Sequence, residues 1–469
     1  MKSMWKKLII FMALACCTVS AVAQTPSAAS VPKVKYVFLF IGDGLSFPQR
    51  MMGDKYSILT RGKRLNINTM PVMTATTTFC ADSFITDSAA SGTAIACGEK
   101  TNFHWLGVAP DGRKLESIAA VAKRSGKKVG IVTTVTINHA TPGAFYAHQK
   151  GRSSYYNIAL ELIESGFDYF GGGGVAKNTG SKGKQTDIYL LAEKAGMQVL
   201  RSIDAVRNAK LGKGRILAAP YKSNMPYALD RNENDLKLAD FVRQAIAHCD
   251  NPAGFFIMAE GGAIDWCCHA NDAAGALNEI LDLDDAVAVA LEFYRKHPEE
   301  TLIVVTGDHE TGGMTLGFAG TGYKSYMKLL ANQRCSYMEM GKKFADLAKD
   351  GKIVTWEEAA KTVTEVSGLI FPAKPGKAKA GTLELSAAEV KRFQAAFMKD
   401  FPKGKPRKKS YELVRLTLTV LNNKAGIAWT TGAHTALPVG TSGIGKNSAF
   451  VAEMRDNTMI ARLLKLMVR

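Results

Sequence analysis

Short apolar runs alternate along this chain with stretches whose apolar residues recur every three to four positions. Residues 34–41, 128–134, 255–259 and 301–306 are of the first kind. Runs this short, with little polar alternation, predict strands buried on both faces, as in parallel sheets. Residues 114–123, 155–164, 186–195 and 235–247 are of the second kind and predict helices. Ser46 and Pro48 mark another helix opening, and Gly126 marks a helix end. The alternation predicts an α/β fold with a large central, mostly parallel β-sheet, whose ligand sites gather at the carboxyl ends of strands. From about residue 321 to 424 the rhythm changes to lysine-rich helical stretches broken by Pro372, Pro375, Pro402 and Pro406. This predicts an inserted lobe within a catalytic domain spanning 33–469. No internal repeat accompanies it.

Polar motifs interrupt the pattern at the predicted strand ends and helix starts. They are Ile41-Gly42-Asp43-Gly44, Thr86-Asp87-Ser88-Ala89-Ala90-Ser91, Glu260 with Asp265 and His269 behind it, Thr306-Gly307-Asp308-His309-Glu310, and Gly432-Ala433-His434-Thr435. Asp265 and His269 stand four apart, so a helix turns both toward one cation. Asp308-His309 can diverge around another. Ser88 precedes the small-residue run 89–96, which places it near a helix N-terminus where an anion is favoured. Taken singly, each has an ordinary explanation: a capping serine, a capping aspartate, a hydrogen-bonded core histidine, an Asp-Gly turn at 43–44 like the one expected at 111–112. Together they offer carboxylates and imidazoles for more than one divalent cation, beside a hydroxyl nucleophile. That combination points to metal-assisted phosphoryl transfer.

The N-terminus changes the compartment. Lys2, Lys6 and Lys7 precede an apolar run over 8–17, and Ala21-Val22-Ala23 offers a cleavage point before Gln24. That pattern is a secretory signal peptide over 1–23, followed by a linker over 24–32, and the run is too short to span a bilayer. A lipid-modified Cys16 is a minor alternative. The mature chain has no other span long enough to cross a membrane and is expected to be exported, to a periplasmic or extracellular space. It keeps 57 of the 60 basic residues against 42 acidic ones, a net charge of +15. This favours anionic partners. The densest basic cluster, 403–409, has no aromatic platform or nucleic-acid reader motif beside it and reads as a solvated face. Cysteines 80, 97, 249, 267, 268 and 335 lack the Cys-x-x-Cys spacing of a thiolate zinc site. In an oxidising compartment some could pair, in a pattern the spacing does not assign.

The motifs resemble those of the alkaline phosphatase family, secreted two-zinc, one-magnesium phosphomonoesterases, in content, order and approximate spacing. The resemblance covers nearly all of the mature chain except part of the inserted lobe, and implies a sheet flanked by helices on both faces. It implies that Ser88 is phosphorylated and dephosphorylated in each turnover on small phosphate monoesters. Asp265, His269 and His434 would hold a first Zn2+, and Asp308, His309 and Asp43 a second. Asp43, Glu260 and Thr141 would hold a Mg2+, and Arg152 would grip the phosphoryl oxygens. A homodimer is also implied. Two positions vary in the family. His139 stands where other members have Asp or His, and its softer imidazole could admit Zn2+ at the third site. Trp266 stands where family members carry Lys, His or Trp, and without a cation there a water-mediated phosphate contact should weaken.

Other readings fit less well. A sulfatase needs a Cys/Ser-x-Pro-x-Arg context that Ser88 lacks. A phosphodiesterase of the same superfamily typically uses Thr and lacks the arginine and third metal. A non-catalytic metal- or phosphate-binding protein would lack a nucleophile or ligand, and every position is filled. Residues 440–447 nearly spell a nucleotide-binding P-loop, but Asn447 replaces Ser/Thr, so a glycine-rich loop is expected there. Residues 171–174 are expected to be flexible loop.

Overall fold

The computed structural model describes residues 31–407 and 411–469. The expected signal peptide, the option at Cys16, most of the 24–32 linker, and Lys408 and Lys409 lie outside the described residues. Nine strands form the main sheet: β1 (Tyr36–Gly42), β2 (Val72–Thr76), β3 (Lys128–Thr133), β4 (Tyr169–Gly171), β5 (Met197–Leu200), β6 (Arg215–Ala218), β7 (Phe255–Gly261), β8 (Thr301–Gly307) and β9 (Val439–Gly445), in the order β2-β9-β8-β1-β7-β3-β4-β6-β5. Seven neighbouring strands, β8 to β5, run parallel. β9 is antiparallel to both β8 and β2.

Why β1, β7 and β8 are apolar over most of their length follows from what covers them. Every residue of all three is buried. Tyr36, Phe38 and Phe40 pack in one core cluster with Ile280, Leu283 and Val287 of the long helix Ala273–Lys296. The intervening Val37, Leu39 and Ile41 are equally buried. Because successive strand side chains point to opposite faces, both faces must be covered.

The helices that matter for the site are α1 (Phe47–Arg61), α2 (Ser88–Cys97), α3 (Ala263–His269) and α4 (Ala273–Lys296). The predicted helices at 155–164, 186–195 and 235–247 appear as Tyr155–Glu164, Ile188–Lys194 and Leu238–Cys249. The one predicted from residue 114 begins only at Ile118, because the Ser117 hydroxyl caps Ala120 N–H and fixes the start. The turn at Asp111-Gly112 is present, with Gly112 N–H donating to Ala109 O.

Two expectations are corrected. Residues 440–445 are not a loop but belong to β9, and 171–174 are not loose, since Gly171 ends β4 and all four glycines are buried. Glycines inside a strand hide its apolar pattern, yet here they admit close neighbours: a side chain at Gly443 would begin 2.6 Å from Val451. The six cysteines are all buried and free, so none of them pairs.

The lysine-rich region builds its own hydrophobic cluster. Four amphipathic helices, α5 (Tyr337–Asp346), α6 (Trp356–Ser367), α7 (Ala387–Asp400) and α8 (Glu412–Ala425), bury Phe344, Val363, Phe393, Phe397 and Leu418 together. Thr355 with Glu358 and Ser386 with Glu389 form capping boxes that start α6 and α7. Its ends reach toward the sheet's carboxyl edge: Asn422 Nδ2 donates to Asn271 O, and Gln333 Nε2 donates to Asp272, both just past α3.

Candidate active site

Strand register assembles the acidic groups. Ile41 pairs with Glu260 on β7 and with Thr306 on β8, so Asp43 and Asp308 each follow a paired residue by two positions. Thr133, ending β3, pairs with Glu260 from the other side, and its hydroxyl donates to the Glu260 carboxylate. The Asp43-Gly44 step is a turn, as Asp-Gly suggests, but it serves the site. Gly44 has φ +75°, and a side chain there would meet Asp265 Cα at 3.0 Å. Gly44 N–H donates to Asp308 Oδ1 at 3.0 Å.

Ser88 opens α2, but it is not the cap. Asp87 is: its carboxylate accepts from Ala89 and Ala90 N–H, which leaves the Ser88 hydroxyl free of capping duty. That hydroxyl is buried, 3.4 Å from Asp43 Oδ1 and 3.2 Å from His309 Nε2. Asp87 also accepts from Arg152 Nη1 at 2.8 Å, and Arg152 Nη2 donates to His139 Nε2 at 3.2 Å. Desolvation opposes ionisation of Asp87, but the Arg152 guanidinium holds its carboxyl below the usual range.

Asp265 and His269 meet across one turn of α3, with Oδ2 and Nε2 3.2 Å apart. His434 comes from the far end of the chain through a two-residue antiparallel pairing, His434 against Thr311 and Thr435 against Glu310. Its Nε2 lies 3.4 Å from Asp265 Oδ1 and 3.2 Å from His269 Nε2. The other ring nitrogens are held by backbone carbonyls, His269 Nδ1 by Gly432 O and His434 Nδ1 by Thr86 O, each at 2.8 Å. With Nδ1 donating there, each Nε2 faces Asp265: protonated it donates to the carboxylate, and deprotonated it offers its lone pair to a cation.

Among the described residues three groups bring their ligand atoms within 4.8 Å of one another: Asp265, His269 and His434; Asp43, Asp308 and His309; and Asp43, His139 and Glu260. Asp43 belongs to two of them. Thr141, at the start of a short helix begun by His139, donates to Asp43 Oδ2 at 3.4 Å. The geometry adds His139 to the third group, where the sequence suggested only a neighbour, and stacks Trp266 edge-on against its ring at 5.8 Å. Thus all twelve sequence-derived site residues come together.

The residues fit cations better than they fit each other. Asp308 Oδ2, Glu260 Oε1 and His139 Nδ1 are buried without a hydrogen-bond partner. Burial pushes the carboxyls of Asp308 and Glu260 up to about 7 and about 8, and burial next to Asp308 holds that of Asp43 well above the usual range. Burial pushes His139 down to about 3 and His309 well below its ordinary value. Hard carboxylates with neutral imidazoles are a donor set suited to Zn2+ and, where oxygen dominates, to Mg2+.

Three side chains here escaped the sequence reading: Asp87, which aims Arg152; Thr311, whose hydroxyl donates to Asp265 Oδ1 at 2.5 Å and lies 3.3 Å from His309 Nδ1; and Glu310, which accepts from Gln49 and from Gly313 N–H. The Thr-Asp-Ser order was a readable cap signal for the first. The other two act through partners distant in sequence.

An α/β sheet with a buried serine hydroxyl set among such clusters at its carboxyl edge fits a metal-dependent phosphoryl hydrolase. The alkaline phosphatase family profile matches residues 34–469. Alkaline phosphatase 4 of Bacillus subtilis (strain 168) is 30% identical over 88% of this chain and 85% of its own length. Alkaline phosphatase 3 of the same organism is 28% identical over 94% and 90%. The crystal structure of Thermus thermophilus alkaline phosphatase superposes with a TM-score of 0.76 at 25% identity, covering 96% of this chain and 95% of that one. The chain belongs to the alkaline phosphatase family and is a phosphoric monoester hydrolase dependent on metal ions.

Proposed function

We propose that Ser88 is the nucleophile of this phosphomonoesterase and that it cycles through a phosphoserine. The observation that carries the reading is one buried hydroxyl, 3.4 Å from the carboxylate that two of the three ligand groups share. Asp265, His269 and His434 would hold one Zn2+. Asp43, Asp308 and His309 would hold a second. Asp43, Glu260 and Thr141, joined by His139, would hold Mg2+ or a third Zn2+. When bound, the cations supply charge that favours the Ser88 alkoxide and stabilises the attacking and leaving oxygens of an in-line displacement. Asp87 orients Arg152, whose planar fork binds two nonbridging phosphoryl oxygens, which a lysine cannot do. Trp266 packs His139 in place.

An alkaline optimum follows if the alkoxide must form and phosphate must leave. The substrates are small phosphate monoesters. Export after cleavage behind Ala23 belongs to the same reading, supported by the basic, apolar and small-residue order of 1–23. No helix among the described residues is long and apolar enough to cross a membrane. A homodimer is what the family implies.

The test is hydrolysis of an aryl phosphate by the purified protein, with metals counted by mass spectrometry. Ser88→Ala should lower turnover by about 10⁴-fold or more with metal content retained. Loss of metal together with activity would refute the assigned role. Comparable rates on mono- and diesters would refute the substrate class.

A further inference from the structure

The two histidine clusters differ in exposure. Asp43, Asp308 and His309 are 0% exposed, whereas the His269 side chain is 37% exposed and that of His434 12%. Ser88 Oγ sits against the sealed cluster. In an in-line displacement the attacking and leaving oxygens lie on opposite sides of phosphorus. On the reading above, the leaving group therefore departs over His269 and His434, the side open to solvent.

The two segments joined at His434 carry exposed apolar residues. The Thr86 carbonyl that holds His434 is preceded directly by Phe84 and Ile85, which are 86% and 46% exposed. Three residues beyond His434 stands Leu437, 45% exposed. Single exposed apolar residues need no explanation, but these three large ones all stand within three chain positions of the Thr86–His434 hydrogen bond, and exposed apolar surface gathered in one place is of the kind that marks binding.

We infer that Phe84, Ile85 and Leu437 form an apolar lip that contacts the leaving group and favours phosphate monoesters of hydrophobic alcohols. The proposal rests on the Ser88 reading for its direction, and its test is chosen to separate the two. Straight-chain alkyl phosphates from ethyl to hexyl share a leaving alcohol of nearly constant acidity, so differences in kcat/KM report contact rather than chemistry. In the metal-loaded enzyme kcat/KM should rise about twofold per methylene, reflecting partial burial on an open lip. The dissociation constants of the matching alkylphosphonates, measured by calorimetry, should fall in parallel. In the double variant Phe84→Ser, Ile85→Ser both slopes should flatten, while the dissociation constant of inorganic phosphate, which has no leaving group, should stay within about twofold.

A flat series in the parent enzyme would overturn the proposal, as would equal losses on ethyl and hexyl phosphate in the variant. So would conversion of a parent dimer to monomer by the double substitution in sedimentation, since the lip would then be a subunit contact. Absence of turnover on every ester, with the phosphonate series still graded, would instead count against the Ser88 reading alone.

Discussion

The sealed cluster of Asp43, Asp308 and His309 and the open cluster of Asp265, His269 and His434 use the same two residue types to opposite electrostatic ends. In the open cluster, burial opposes ionisation of Asp265, but hydrogen bonds from His269 and His434 pull its carboxyl well below the usual range. The hydrogen bond with Asp265 raises His269, and Asp265 raises His434 against its burial. That group is a self-compensated ion pair. The sealed cluster has no such balance: burial and mutual repulsion raise Asp43, burial raises Asp308, and burial with the charge of His434 keeps His309 neutral. A cation bound as proposed would therefore relieve a buried, uncompensated group in one place and displace protons from histidines in the other.

Replacing one ligand on each side should break the comparison most visibly. Asp308→Ala removes a proposed cation ligand from the side of the proposed nucleophile and should lower kcat/KM by about 10³-fold or more, since a bound metal supplies several kcal/mol of transition-state stabilisation. His269→Ala opens onto solvent. Its loss should be smaller by about an order of magnitude and partly recovered by added imidazole, as steady-state kinetics would show. Equal, unrescued losses would mean that exposure does not separate the two clusters.

Thr311 is the polar link between them, through Asp265 Oδ1 and His309 Nδ1. Thr311→Val should weaken metal affinity about 10–100-fold, while Thr311→Ser retains the hydroxyl and most of the affinity, measured by competition with a chelating dye. Graded chelation of the parent enzyme should release metal in two phases. The early phase should vanish in His434→Ala.

The smallest effect concerns pH. Without cations, Asp308 at about 7 and Glu260 at about 8 keep protons that the unfolded chain releases near pH 4. The folded state binds more protons across that window, so stability should fall as pH rises from about 4 to 8 and level off above. The melting temperature in chelator should be lower at pH 8.5 than at pH 6 by roughly a few degrees, and added Zn2+ should reverse the order. A chelator-treated protein more stable at pH 8.5 would contradict the electrostatic picture of the sealed cluster.

Legibility in the sequence followed locality. The strands at 34–41, 128–134, 255–259 and 301–306 could be read because a doubly covered strand must be apolar at every position. The i, i+4 pair of Asp265 and His269 was visible because one helical turn joins them. β9 was not visible, because its glycines erase the period that marks a strand. Nor were β4, β5 and β6, each only three or four residues long. Asp87 could have been read from its cap position. Thr311 could not, because its two partners meet it only through the pairing of residues 310–311 with 434–435.

By itself the chain determined which side chains could carry chemistry, and that a parallel sheet would present them at strand ends. Residue type and local period follow from bonding along the backbone. The tertiary structure alone decided that His139 joins Asp43 and Glu260, and that one cluster is sealed while its twin opens to solvent at His269. Those outcomes depend on which distant segments exclude water from a given carboxylate, and burial belongs to no residue until the whole sheet has closed around it.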